Sequence, residues 1–292
     1  MKKENKNSLA GCVILYNPAN SVIKNINSYI NYIDILYVVD NSAKGNIGLV
    51  DMIDASKLKI IYISEKENIG IAAALNIAAR LAVNDSYDWL LTMDQDSCFF
   101  GQEFFSIWKT ENQNEGIGLM AASYTNYYDR WQKKYSNHFN EIHFIITSGN
   151  IINLKAWERI RGFEDKLFID EVDHDYCLKL RENKYKILIS KNKLMDHEIG
   201  EFYDTKNVGL KVNRLLNLHN PVRYYYISRN VLYICRKYFF TDFKFVSARF
   251  YYLIKTLAKI ILRYPDKTIY LKFFFAGFRD FSLSKYNKYD GR

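Results

Sequence analysis

Short apolar runs alternate with amphipathic segments along the first two thirds of the chain. An uninterrupted apolar run that ends at a turn is typical of a buried strand, whereas apolar residues three or four positions apart predict a helix. The runs predict strands at residues 10–16, 33–39, 58–64, 89–94, 117–123, 143–148 and 186–190. The periodic segments predict helices at residues 21–31, 47–54, 69–83, 155–161 and 173–183. This alternation indicates an α/β fold, with a mostly parallel, Rossmann-like sheet covered by helices on both faces.

Polar residues stand where four of the predicted strands end. They are Tyr16-Asn17, Asp40-Asn41, Glu67-Asn68 and Asp94–Asp96. Ligands of parallel sheets bind outside the carboxyl ends of the strands, so these residues predict a ligand site at that edge. Asp94 and Asp96 put two carboxylates at the end of an apolar run, which is costly unless something positive meets them.

The turn after the first strand, Tyr16–Ala19, contains no glycine, so the chain lacks the G-x-G-x-x-G motif of dinucleotide-binding sheets. No G-x-x-x-x-G-K-[ST] phosphate loop occurs either. A diphosphate must then be held in another way. Magnesium binds proteins through one or two carboxylates plus substrate phosphates. The sequence therefore predicts Mg²⁺ or Mn²⁺ on Asp94 and Asp96, carrying a diphosphate.

The end of the chain differs from the rest in charge. Residues 221–292 contain 15 basic and 4 acidic residues, a net charge of +11, whereas residues 1–220 have a net charge of −2. The same end holds 21 of the 47 aromatic residues, and its periodicity predicts helices at residues 222–238 and 243–262. We therefore expect a domain at residues 1–220, followed by a basic, aromatic helical region at residues 221–292.

Cations at helical spacing among apolar residues suit an anionic membrane surface. The alternative is packing against the first domain or against a second copy in a homo-oligomer. The membrane interpretation uses the cations and apolar side chains Lys244, Arg249, Lys255, Lys259, Arg263, Phe245, Phe250, Tyr252, Leu253, Leu257 and Ile260. Single-stranded nucleic acid attracts a similar composition, but no recognisable nucleic-acid module occurs, so no nucleic-acid partner is expected.

The cysteines and apolar runs bear on the compartment. Cys12, Cys98, Cys177 and Cys235 form no C-x-x-C pair, so we expect free thiols in a reducing cytoplasm. Residues 9–12, LAGC, resemble a lipoprotein cleavage site. Only the polar residues MKKENKNS precede these four residues, so no signal peptide is expected. No apolar run reaches the roughly 20 residues of a membrane span.

Seven motifs occur in a characteristic order: ILYNP, VVDNS, ENIGIAAALN, MDQDS, SGN, FIDEVDHDYCLKLR and DHEIGE. Together they resemble the inverting family 2 glycosyltransferases with the GT-A fold. Over residues 9–237 the chain also resembles one branch, the bacterial rhamnosyltransferases of cell-surface polysaccharide synthesis, which have a later RYYYISRN-like segment, here residues 223–230. A nucleotidyltransferase would share the sheet and the metal, but it needs a Gly-rich, Arg-containing loop after the first strand, and none occurs.

The resemblance implies a donor and an acceptor. The donor is a nucleotide-sugar, either dTDP-L-rhamnose or a UDP-sugar carrying galactofuranose, galactose or N-acetylglucosamine. The acceptor is a hydroxyl of a glycan or a lipid-linked glycan. If the acceptor is lipid-linked, the enzyme is expected to bind peripherally to the inner face of the cytoplasmic membrane.

The resemblance also implies roles for single residues. Asp96 is the metal ligand, Asp94 meets the metal or the ribose, and His197 closes on the metal or the diphosphate. Asp40 hydrogen-bonds the pyrimidine base. The remaining residues that the resemblance assigns to the nucleotide-sugar are Tyr16, Asn17, Asn68, Gly70 and Gly149. Asn68 equally suits a plain helix cap at the start of the predicted helix 69–83.

A general base must remove the proton of the acceptor hydroxyl as it attacks the anomeric carbon. Asp173 is the residue that the resemblance favours, because it matches the second member of the family's common Glu-Asp pair. At the start of a predicted helix it is also kept ionised by the helix dipole. The neighbouring acidic residues Asp170, Glu171 and Asp175 compete for this role.

Overall fold

The computed structural model describes residues 8–53, 58–124, 132–197, 219–264, 266–286 and 288–291. The predicted helix end at Asp54 and the part of the DHEIGE motif after His197 lie outside these residues. The described residues form two compact units. One holds residues up to Asp165 together with those from Val172 to His197, and the other holds Lys166–Glu171 together with the residues from His219 onward.

The first unit contains all the described strands and six of the described α-helices. The strands are β1 Leu9–Leu15, β2 Ile35–Asp40, β3 Lys59–Ser64, β4 Trp89–Asp94, β5 Ser97–Phe99, β6 Ile117–Ser123, β7 Lys133–Lys134, β8 Phe139–Ile142, β9 Asn150–Asn153, β10 Lys186–Lys193 and β11 Met195–His197. The helices are α1 Ser21–Asn27, α2 Ile47–Val50, α3 Ile71–Asn84, α4 Glu103–Glu111, α5 Leu154–Arg159 and α6 Val172–Glu182, with a 3-10 turn at Ile30–Tyr32.

Nine strands form one sheet in the order β3-β2-β1-β4-β9-β6-β10-β8-β7. β3, β2, β1 and β4 are parallel, and β9 runs antiparallel to both β4 and β6. The predicted mostly parallel α/β sheet is confirmed. In the register of the parallel strands Leu15 pairs with Asp40, and Ile14 pairs with Asp94. The carboxyl ends of β1, β2 and β4 therefore meet at one edge.

One predicted strand is wrong. Residues 143–148 form a loop, and the strands β8 and β9 lie on either side of it. Side chains bind carbonyl groups of this loop: Thr92 Oγ1 donates to Thr147 O at 2.6 Å, and Asn150 Nδ2 donates to Ile146 O at 2.5 Å. The loop's apolar residues suggested a strand, but these carbonyl groups accept from side chains instead of a neighbouring strand.

The predicted cap of α3 also differs from the structure. The residue before the helix is Gly70, whose φ of +88° belongs to the region that favours glycine. Asn68 Oδ1 accepts a hydrogen bond of 2.9 Å from Gly70 N. Asn68 therefore stabilises the turn that precedes the helix, and it does not cap the helix itself.

The second unit is built on α7 Pro221–Tyr238, α8 Phe243–Arg263 and α9 Lys267–Ser282. α7 buries three consecutive tyrosines and Arg229, which has no exposed surface. Asn230 Nδ2 donates to Ile169 O at 2.6 Å, and Arg229 donates to Lys166 O at 3.3 Å. These hydrogen bonds explain why the six residues Lys166–Glu171 belong with the helices and not with the sheet.

The membrane-facing surface predicted for α8 is wrong in part. Phe245, Leu253 and Ile260 are buried within the helical unit. Arg249 forms an ion pair with Glu171, so it is not available to lipid. The exposed apolar side chains of α8 include the predicted Phe250 and Tyr252, and also Phe243, Tyr251, Ile254, Ile261 and Leu262. No described helix is long and apolar enough to cross a bilayer.

Gly277 lies where α9 packs closely against α7. A Cβ atom at this position would lie 2.1 Å from Ser228 Oγ and 2.2 Å from the carbonyl oxygen of Tyr225. We expect Gly277→Ala to force the helices apart and to destabilise the protein by about 1–3 kcal/mol. The measurement is urea denaturation followed by circular dichroism.

Gly48 in α2 is the matched control, because a Cβ atom there meets nothing within 4 Å. Gly48→Ala should unfold at the wild-type urea concentration or slightly above it, since alanine is the better helix former. An unchanged unfolding midpoint for Gly277→Ala would contradict this account of the α7–α9 packing.

Candidate active site

Three side chains converge at the carboxyl end of β4. The ligand atoms of Asp94, Asp96 and His197 all lie within 4.8 Å of one another. His197 Nδ1 is 3.3 Å from Asp96 Oδ1, although the two residues are far apart in sequence. The antiparallel pairing of β11 with β5 sets His197 opposite Ser97 and explains the approach. All three residues are among those predicted for the metal.

Two serines connect the members of this cluster. Ser97 Oγ lies 2.7 Å from His197 Nδ1. Ser148 Oγ donates to Ser97 Oγ at 2.8 Å and accepts from Asp94 N at 3.0 Å. The chain of hydrogen bonds orients the imidazole and the end of β4 together. Neither serine was among the predicted site residues, although both lie within the motifs MDQDS and SGN.

Gln95, between the two aspartates, ties the end of β4 to the turn after β1. Its Oε1 accepts from Tyr16 N at 2.9 Å, and its Nε2 donates to Tyr16 O at 3.3 Å. Asn25 Nδ2 in α1 donates to the Gln95 carbonyl oxygen at 2.8 Å. Gln95 therefore fixes both neighbouring aspartates relative to β1. Gln95 lies within the motif MDQDS but was not among the predicted site residues.

The cluster carries more negative charge than its surroundings neutralise. Burial, together with the charges of Asp96 and Asp173, raises the pKa of Asp94 to about 6, and His197 opposes this shift. The hydrogen bond with Asp96 raises the pKa of His197 although burial lowers it. Two carboxylates and one imidazole are a donor set that suits a divalent cation such as Mn²⁺. The residues present therefore fit the metal that the sequence predicts.

Asp40 is buried at the end of β2, with 1% of its surface exposed. Its carboxylate accepts hydrogen bonds from Ser42 N at 2.8 Å, from Asn46 Nδ2 at 2.9 Å and from Tyr62 OH at 2.7 Å. Burial acts to raise the pKa of Asp40, but these hydrogen bonds outweigh burial and lower it. The group is therefore a fixed carboxylate at the predicted edge. Its contact with a base stays a prediction.

Asn17 is connected to Asp40 through a shared partner, Ser42, and Tyr16 is the residue before Asn17. Asn17 has a positive φ of 45°, and its N–H donates to Ser42 Oγ at 2.7 Å. The side chain of Tyr16 is exposed, which leaves its ring accessible to a ligand. Tyr16, Asn17 and Asp40, all assigned to the nucleotide-sugar, therefore lie at or just after the ends of the paired strands β1 and β2, while their contact with the ligand stays a prediction.

The structure gives each of the two glycines assigned to the donor, Gly70 and Gly149, a structural role. Gly70 precedes α3, and Asn41 Nδ2 donates to its carbonyl oxygen at 3.3 Å, which links it to the end of β2. Gly149 has a φ of +74°, and a Cβ atom there would lie 2.1 Å from Met195 Sδ. A side chain at position 149 is therefore excluded by Met195 and by the backbone. The donor contacts of Asn68, Gly70 and Gly149 stay predictions.

The four acidic residues before and within α6 have different partners. Asp170 forms an ion pair with Arg223 at 2.8 Å, and Glu171 forms one with Arg249. Asp175 is fully buried and lies 3.2 Å from Lys179. Asp173, with 27% of its side chain exposed, accepts from His174 N at 2.9 Å and forms no ion pair with a described lysine or arginine.

Comparison with solved structures shows which fold the chain has. The chain is similar to the mannosyltransferase PcManGT from Pyrobaculum calidifontis, solved with GDP-Man and Mn²⁺ (TM-score 0.58, 12% identity, 95% of this chain and 87% of that chain). It is also similar to S. aureus TarS 1-349, solved with UDP-GlcNAc (TM-score 0.57, 12% identity, 94% of this chain and 80% of that chain). The chain spans 39% of a longer TarS structure. The fold is that of the GT-A glycosyltransferases.

Comparison of the sequence with known families and proteins shows the family. The model of glycosyl transferase family 2 matches residues 12–188, and the chain belongs to this family. It is 27% identical over 246 residues to the dTDP-rhamnosyl transferase RfbF of Shigella flexneri, covering 77% of this chain and 79% of that protein. The protein is therefore a glycosyltransferase, as the motifs indicated.

The pKa directions in the cluster predict how metal binding responds to pH. A metal requires deprotonated ligands, so protons compete with it wherever a ligand's pKa is raised. With the pKa of Asp94 at about 6 and that of His197 also raised, we expect Mn²⁺ affinity to fall at least about tenfold from pH 7 to pH 5. Isothermal titration of Mn²⁺ at both pH values measures this. An affinity that does not change between them would contradict the assignment.

Proposed function

We propose that the protein transfers L-rhamnose from dTDP-L-rhamnose, with inversion, onto a hydroxyl of a glycan or a lipid-linked glycan of a cell-surface polysaccharide. The observation that carries this proposal is the Asp94, Asp96 and His197 cluster at the carboxyl edge of a GT-A sheet. The choice of donor is supported by the similarity to a protein named as a dTDP-rhamnosyl transferase. A UDP-sugar donor is the alternative, and TarS was solved with one.

In this proposal Asp94, Asp96 and His197 would hold Mg²⁺ or Mn²⁺, and the charge of the ion would stabilise the leaving nucleoside diphosphate. The protein's own contribution is to hold the ligands in place. Gln95 fixes both aspartates to the turn after β1, and the two serines orient His197. Asp40, Tyr16 and Asn17 would bind the base beside this cluster.

Asp173 is proposed as the general base, which takes the proton of the acceptor hydroxyl. Its three competitors are already engaged: Asp170 and Glu171 by arginines, and Asp175 by burial and Lys179. The charge of Asp173 also contributes to the raised pKa of Asp94, which is consistent with a position near the cluster. A carboxylate that is partly exposed and held by a backbone N–H suits proton abstraction.

Nucleoside diphosphate release from a panel of nucleotide-sugars tests the proposed function. With Mn²⁺ or Mg²⁺ and a glycan acceptor, we expect dTDP release from dTDP-L-rhamnose to be the fastest reaction. EDTA should abolish it, because the charge that stabilises the leaving group is worth several kcal/mol. Faster turnover of UDP-galactose, UDP-galactofuranose or UDP-N-acetylglucosamine would select the alternative donor. Full activity in EDTA would remove the metal from the proposal.

Replacement of Asp173 by asparagine tests the base. Asp173→Asn preserves the shape of the side chain but removes its proton affinity. We expect kcat to fall about a hundredfold or more, with the KM for the donor little changed. Steady-state kinetics of the two variants Asp173→Asn and Asp170→Asn separate the assignments. A mild effect of Asp173→Asn beside a severe effect of Asp170→Asn, in equally stable proteins, would show that Asp173 is not the base.

We also propose that the protein works at the inner face of the cytoplasmic membrane, bound peripherally to anionic lipid. Phe243, Phe250, Ile254 and Ile261 are exposed and, at spacings of seven, four and seven, lie on one face of α8. The net charge of +11 over residues 221–292 complements acidic head groups. A homo-oligomer would cover the same face and is the alternative.

Sedimentation with lipid vesicles compares these two possibilities. We expect binding to anionic vesicles that is released by high salt, because the attraction between exposed charges is screened, and no binding to neutral vesicles. The double variant Phe250→Ser, Ile254→Ser should weaken this binding. No binding to either type of vesicle, together with a concentration-dependent dimer in solution, would favour the homo-oligomer.

A further inference from the structure

A second concave site lies within the helical unit. It has a volume of about 650 Å³ and lies between the beginning of α7 and the second half of α8. Cavities of roughly 300–1,000 Å³ are of the size that holds small ligands. The residues that matter for its chemistry are His219, Tyr224, Tyr252, Lys255, Lys259 and Arg263.

Three cations without an acidic partner among the described residues line this cavity. Lys255, Lys259 and Arg263 follow one another at intervals of four residues, so they lie along one side of α8. No described carboxylate forms an ion pair with any of them. Lys255 Nζ lies 5.4 Å from the ring of Tyr251, and Lys259 Nζ lies 6.0 Å from the ring of Tyr264. Like charges four residues apart on a helix are destabilising, and a bound anion would offset this cost.

The pKa of His219 is lowered by burial and by the neighbouring positive charges. Burial, and then the charges of Arg223 and Lys259, lower the pKa of His219 to about 4. Its imidazole is therefore neutral near pH 7, with Nδ1 at 3.3 Å from Arg223 NH1. A neutral imidazole and the hydroxyls of Tyr224, Tyr252 and Thr256 add polar groups to a wall that also contains apolar side chains.

Several cations and hydroxyls around one cavity suit a ligand with several charged oxygens. Charge-assisted hydrogen bonds from lysine and arginine to phosphate are among the strong ones in proteins. We propose that this cavity binds a phosphate or diphosphate group, carried either by a lipid head group or by a free phosphate compound. The proposal does not depend on the donor or the metal of the Asp94 cluster.

Inorganic pyrophosphate in the presence of EDTA is the first probe, because EDTA prevents binding through a divalent metal. We expect wild-type protein to bind it in isothermal titration. The triple variant Lys255→Gln, Lys259→Gln, Arg263→Gln should weaken this binding at least about tenfold. Its thermal unfolding temperature should equal that of wild type or exceed it, because the variant removes repulsion between like charges.

A second triple variant controls for net charge. Lys267→Gln, Lys272→Gln, Lys285→Gln removes the same charge from exposed positions of the helical unit that do not line the cavity. It should change pyrophosphate affinity less than about twofold. Equal weakening by both triple variants would overturn the proposal, because the attraction would then be diffuse.

Vesicles distinguish the two sources of the phosphate. Vesicles containing phosphatidic acid present a terminal phosphate, and phosphatidylcholine vesicles are the control. Binding to phosphatidic acid that pyrophosphate displaces, and that only the cavity variant loses, assigns the site to a lipid head group. Cavity-dependent binding of pyrophosphate alone assigns it to a free phosphate compound. Failure of wild-type protein to bind either probe through the cavity overturns the proposal.

Discussion

Two carboxylates, those of Asp94 and Asp96, lie close together at the end of the buried strand β4. The candidate site depends on the contacts that hold them there. Burial first, and then the charge of Asp96, raises the pKa of Asp94 to about 6. Repulsion of this kind would separate the carboxylates unless the backbone held them. The pairing of β11 with β5, the two serines and Gln95 provide that hold. The fold holds the two carboxylates together despite their repulsion, and a bound cation would offset that repulsion.

A similar cost occurs just before α6. Asp170 and Glu171 have positive φ angles of 63° and 65°, a conformation that costs non-glycine residues of order 1–3 kcal/mol each. Arg223 and Arg249 of the helical unit bind these two carboxylates. Two residues further along the chain stands Asp173. The ion pairs thus stabilise the turn that leads into the helix carrying the proposed base.

The parallel part of the fold was predictable because its strands are nearly continuous apolar runs. β4 and β6 have the predicted bounds, and Asp94, Asp96 and His197 converge as the motifs indicated. The short strands β5 and β11 were not predictable, because polar residues interrupt them and they depend on pairing across the chain. The roles of Gln95 and Ser148 follow from contacts with distant backbone and side-chain atoms, which no local pattern contains. The buried face of α8 was misassigned because burial and membrane contact require the same apolar periodicity.

We propose that the Asp94, Asp96 and His197 cluster holds a metal to which the nucleoside diphosphate binds. The most direct test is the affinity of the protein for dTDP with and without Mn²⁺, in wild type, in Asp96→Asn and in the control Asp196→Asn. Asp196 is exposed and pairs only with Lys193 among the described cations. We expect Mn²⁺ to strengthen dTDP binding at least about tenfold in wild type and in Asp196→Asn, and not in Asp96→Asn. The same gain in all three proteins, or no gain in wild type, would contradict the proposal.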